Sequence, residues 1–80
     1  MNSDLLVRMA NEIGAFFDGE VGEETPQAVL AHIKRYWDPR MRVRIVEHLR
    51  AGGAGLTEHA RAAIELLARE TSENRSSPRD

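Results

Sequence analysis

Three histidines, His32, His48 and His59, are the side chains in this sequence best suited to moving protons or holding a metal. They stand 16 and 11 residues apart. A helical zinc site takes histidines four residues apart, so that both rings leave one face, and no such pair exists here. Each histidine sits at the edge of an apolar stretch, where an imidazole commonly spans core and water. The chain has no cysteine, which removes both a thiolate nucleophile and a thiolate metal ligand. No serine lies in a strand–turn–helix setting. Gly52-Gly53-Ala54-Gly55 has the composition of a phosphate cradle, but such loops follow a strand and open directly into a helix. This loop follows a helical stretch and continues into Leu56-Thr57, so a helix stop is the better reading. No catalytic, cofactor-binding or metal-ligating residue is assigned.

The arginine-rich stretch Trp37-Asp38-Pro39-Arg40-Met41-Arg42-Val43-Arg44 carries more. One reading is a small helix-turn-helix-like nucleic-acid-binding protein with this segment as its recognition element. Against it, net charge is -2 and the sequence pI is about 5.9, far from the basic range of such modules. The Asp38-Pro39 joint is also shorter than the turn that helix-turn-helix units use. On a helical wheel Arg40 and Arg44 share a side with Glu47 while Arg42 projects elsewhere, so no continuous phosphate-binding stripe forms. A solvated face with intrachain ion pairs is the plainer alternative. A protein interface is favoured, because Trp and Arg are enriched where one protein grips another.

The elements that must position these residues are helical. Apolar residues recurring at three and four predict a helix over residues 4–17, capped by Ser3 or Asp4, with Leu5, Leu6, Met9, Ile13, Phe16 and Phe17 as its inward stripe. A second, milder strip of Val7, Ala10, Asn11 and Gly14 lies opposite and suggests close approach by a partner. After an acidic connection at residues 19–24, Thr25-Pro26 starts a second helix with Val29, Leu30, Ile33, Tyr36 and Trp37 on its apolar face. Asp38-Pro39 repeats that signal and opens a third, over residues 39–51, with Met41, Ile45 and Leu49 inward. Pro39, Val43 and Val46 add further mild apolar surface. Leu56-Thr57 opens the fourth, to about residue 70, with Ala60, Ala63, Ile64 and Leu67 inward. Residues 71–80 have no apolar side chain except Pro78 and are expected to be a disordered tail. The expected architecture is all-α, a bundle of about four helices over residues 1–70.

Charge is divided along the chain. Residues 1–33 hold six acids against Arg8, whereas residues 34–50 hold six basic residues against Asp38 and Glu47. The absence of cysteine suits a reducing compartment. With no apolar run near the roughly 18 residues of a membrane span, a cytoplasmic location is expected.

Met9-Ala10-Asn11-Glu12-Ile13 with Phe16-Phe17, the block Trp37-Asp38-Pro39-Arg40-Met41-Arg42, and Gly52-Gly53-Ala54-Gly55-Leu56 together resemble the delta subunit of NAD-dependent, molybdenum-containing formate dehydrogenases. The resemblance covers about residues 4–68; residues 18–24 and the tail have no counterpart. It implies a non-catalytic accessory subunit of a soluble cytoplasmic complex that oxidises formate and reduces NAD. In that family the molybdenum cofactor, iron–sulfur clusters, FMN and the NAD site belong to the larger subunits, with no cofactor in the delta chain. The implied role is to support assembly of the catalytic alpha subunit, or its retention of the molybdenum cofactor, with no nucleic-acid or membrane partner; the isolated chain could self-associate. Together with the arginine-rich turn, the resemblance places the centre of the partner contact at Trp37, Arg40, Met41 and Arg42. Met9, Asn11 and the loop bearing Gly53 and Gly55 lie nearby.

Overall fold

A computed structural model describes residues 2–17 and 25–76 of the chain, and side chains only as far as residue 71. Four α-helices follow one another: α1 (Ser3–Phe17), α2 (Thr25–Tyr36), α3 (Pro39–Arg50) and α4 (Glu58–Ser76). No strand occurs among the described residues. The expected connection at 19–24 and the last four residues of the expected tail lie outside them.

Local chemistry sets the helix ends. The Asn2 side chain accepts from the Asp4 N–H at 2.8 Å, so Asn2 caps α1 rather than Ser3 or Asp4. Asp38 caps α3 by accepting from the Met41 N–H at 3.0 Å, with Pro39 next to it where a missing N–H is harmless. At the far end of α3 the Gly53 N–H donates to the His48 carbonyl and the Gly52 N–H to the Leu49 carbonyl. This paired closure needs left-handed backbone, and Gly52 and Gly53 supply it at φ 122° and 65°. α4 continues to Ser76, six residues past the expected end at residue 70. The sequence from Thr71 to Ser76 contains no glycine or proline, and the first residue able to halt a helix is Pro78.

α4 packs against each of the other three helices. The core joins Leu6, Val7 and Ala10 of α1 to Val29, Leu30 and Ile33 of α2, with Trp37 just beyond. Ile45 and Val46 of α3 and Ala60, Ala63, Ile64 and Leu67 of α4 complete it. The expected inward residues of α4 are therefore all buried.

α1 departs from expectation. Its mild strip, read as the hint of a foreign partner, faces inward: Val7, Ala10 and Gly14 are buried within this chain. The space above Gly14 is filled by α4, whose Ala60 nitrogen and His59 Cβ would lie 3.6 and 3.7 Å from an added methyl. Small residues let the two backbones approach, so the strip's partner is α4. The larger stripe is only partly inward: Leu6 is buried and Met9, Ile13 and Phe17 pack against the core, whereas Leu5 is 50% and Phe16 73% exposed. Those contact distances are ordinary, so Gly14→Ala is expected to fit and to gain about 0.5–1 kcal/mol of helix stability. Thermal denaturation would then rise by several degrees; a fall would mean the helices pack more tightly than this geometry allows.

Candidate functional site

The residues expected at a partner contact separate into two groups. Asn11, Arg42, Gly53 and Gly55 are engaged inside the chain. The Asn11 amide donates to the Gly55 carbonyl at 2.9 Å, and its oxygen accepts from the Thr57 N–H at 2.9 Å. It thereby holds the glycine loop and the N-terminal end of α4 against α1. His48 and Arg61 grip the same loop, the first through the Ala54 carbonyl at 2.8 Å and the second through the Gly52 and Gly53 carbonyls at 3.0 Å each. Arg42 donates to the Lys34 carbonyl at 3.0 Å, satisfying an acceptor in the last turn of α2 that has no intrahelical partner. Beside it Lys34 pairs with Glu70 of α4 at 2.9 Å.

Met9, Trp37, Met41 and Arg40 are arranged around open surface. The two methionines and Trp37 help line a groove of about 380 Å³ between α1, α2 and the start of α3. Trp37 forms its floor and is only 5% exposed, so this indole belongs to the core. α1 supplies one wall through Ile13, Phe16 and Phe17, with Glu12 as the acid on that wall. α2 supplies His32 and Tyr36. The rings form a connected series. Phe16 meets Phe17 edge-on at 5.1 Å, Phe17 meets His32 at 6.2 Å, and His32 lies 4.7 Å from Tyr36. The Arg35 guanidinium stands 5.7 Å from the Tyr36 ring centroid. Despite these contacts Tyr36 remains 66% exposed.

Arg40 lies on the outer face of α3 with Arg44, Val43 and Glu47, around a shallow depression beginning at Pro39. Among the described residues neither Arg40 nor Arg44 pairs with a carboxylate. Arg44 follows Met41 by three residues, so the groove wall passes directly into this arginine face. Arg42 points away from it, as the helical wheel predicts.

As well as Leu5, sequence reasoning placed two surface aromatics in the interior, Phe16 and Tyr36. A signal existed. Each is the first of two adjacent aromatics, Phe16-Phe17 and Tyr36-Trp37, and neighbours on a helix diverge by about 100°. One member of each pair must therefore turn away from a narrow core.

His32, His48 and His59 are all half-buried, in keeping with rings that span core and water. No group of three or more His, Cys, Asp or Glu among the described residues could hold a metal ion. None of the described helices is long and apolar enough to cross a membrane.

Fold and surface together define a small all-α module whose polar loop groups are engaged internally and whose exterior carries an aromatic groove beside unpaired arginines. The chain belongs to the family of the NADH-dependent formate dehydrogenase delta subunit, FdsD, whose model matches residues 5–64. That stretch includes every groove residue, the arginine face and the glycine loop. No curated protein and no solved structure matches the chain.

Proposed function

We propose that this chain is a non-catalytic accessory subunit that binds the catalytic alpha subunit of a cytoplasmic NAD-dependent formate dehydrogenase. Family membership supports the enzyme complex as its setting. The observation that carries the binding role is the open groove with two large aromatics at its edge, Phe16 and Tyr36, each more than half exposed. Exposed apolar patches of this kind mark places where proteins associate. The molybdenum cofactor, iron–sulfur clusters, FMN and NAD belong in this reading to the larger subunits, and this chain holds none of them.

Its contribution is linkage. A chain that binds the folded, cofactor-loaded partner and not its open forms stabilises that state by mass action, by about 2.7 kcal/mol at a hundredfold excess over Kd. Bound in that way, it favours assembly of the catalytic subunit and retention of its molybdenum.

The test is a tagged pull-down from native cells, washed at high salt and read by mass spectrometry. Stoichiometric recovery of the large molybdenum-containing subunit is the expected result. Recovery of the chain alone, or of nucleic acid that is lost in salt, would overturn the proposal. Deleting the chain is further expected to lower the molybdenum content per catalytic subunit; unchanged content would remove the cofactor-retention part and leave binding intact.

A further inference from the structure

The groove and the arginine face are continuous, and their chemistry constrains what can cover them. Met9, Ile13 and Phe16 line one wall over about two turns of α1, roughly 10 Å at the rise of a helix. Tyr36 and Met41 close the other side. Anchors spaced i, i+3 or i+4 and i+7 along a second helix span the same length. Methionine on both walls lets the groove adapt to the side chains it receives. Along the α2–α3 edge stand Arg35, Arg40 and Arg44, all exposed, whereas Glu12 is the acid lining the groove.

Building on the accessory-subunit reading, we infer that this groove receives an amphipathic helix of the catalytic subunit. Aliphatic or aromatic residues of that helix enter between α1 and α2, and a row of Asp and Glu lies along its edge facing Arg40 and Arg44. Charge complementarity selects this occupant. An isologous contact between two copies would place the arginine edge of each against the other's groove, whose lining offers a single carboxylate, Glu12, and so leaves most of that edge unmatched. Arg40 and Arg44 share their face with Glu47 but form no ion pair with it, so a partner edge bearing carboxylates finds both guanidiniums available. Trp37 lies beneath as a rigid floor and takes no direct part.

The experiment uses the full chain co-expressed with its formate dehydrogenase. Benzoylphenylalanine replaces Phe16 or Tyr36, the complex is irradiated, and the cross-linked peptide is mapped. The expected product joins this chain to a segment of the catalytic subunit with apolar residues at helical spacing and flanking acids. Phe16→Asp and Arg44→Glu are each expected to weaken binding, Phe16→Asp by about 30-fold or more as for a central anchor. Far-ultraviolet circular dichroism of both variants is expected to match the parent, because both side chains are exposed. Arg44→Glu is further expected to regain affinity when a mapped partner acid is changed to Lys, an outcome that misfolding would not produce.

Cross-links to a second copy of this chain would overturn the inference in favour of self-association. Wild-type affinity in Phe16→Asp and Arg44→Glu, with the enzyme still co-purifying, would place the contact elsewhere and leave the accessory role standing. Failure of the unmodified chain to co-purify with the catalytic subunit would remove both.

Discussion

Trp37→Ala is expected to destabilise the free chain strongly rather than loosen a contact with a partner. The indole is 5% exposed and packs into the cluster that holds Ile33 and Ile45. Truncating a buried aromatic to alanine costs about 3–5 kcal/mol, from lost burial together with the cavity left behind. A chain of 80 residues has total stability of roughly 4–12 kcal/mol. The variant therefore forfeits a large share of its stability, and its melting temperature is expected to fall by roughly 15–30 °C. Circular dichroism with thermal or urea denaturation reads this directly. If the variant melted like the parent and lost only partner binding, Trp37 would be an interface anchor after all, and the placement of the core at this end would be wrong. Trp37→Phe, which keeps most of the volume, is expected to recover most of the loss.

Gly53→Val is expected to have an effect of comparable size by another route. Gly53 has φ 65°, a left-handed conformation that costs an L-residue about 1–2 kcal/mol and a β-branched one more. A Cβ at this position would also lie 3.0 Å from both terminal nitrogens of Arg61. Making room shifts that guanidinium, the free end of a flexible side chain, and weakens its bonds to the Gly52 and Gly53 carbonyls, each worth at most about 1.5–3 kcal/mol where one partner is charged. The sum is roughly 3–5 kcal/mol, allowing for partial exposure. Gly52→Val is the control, because its positive φ brings strain but nothing lies within 4 Å of its added Cβ. Gly53→Val combined with Arg61→Ala is expected to be less than additive, whereas Gly52→Val, strained at φ 122° but without the contact, is expected to add to Arg61→Ala. Additivity in both double variants would mean the Arg61 clamp contributes nothing to loop closure.

Both experiments bear on residues whose sequence context suggested a partner. Trp37, Asn11, Arg42 and Gly53 belong to the blocks that most resemble the delta-subunit family, and all four are engaged in holding this fold together. A distinctive motif identifies the family without saying whether its members face inward or outward. The charge reversal best suited to test the surface is accordingly at Arg44 or Arg40. At Arg42 the same change would also remove the hydrogen bond to the Lys34 carbonyl.

The four helices were legible in the sequence because their causes are local. Asp38-Pro39 starts α3, the glycines stop it, and the 3.6-residue period marks Ala60, Ala63, Ile64 and Leu67 as one buried face. The motifs likewise carried the resemblance to the delta-subunit family. Two matters lay beyond any local signal. α1 has two apolar stripes, and only the approach of α4 over Gly14 decides that the smaller one is buried with Leu6 while Met9, Ile13, Phe16 and Phe17 of the larger are left as a groove wall. The single polar loop between α3 and α4 is held by Asn11, His48 and Arg61, side chains brought together from three helices. Periodicity reports which residues share a face of one helix. Which face is covered depends on how closely two backbones can approach, and that distance exists only once the helices have packed.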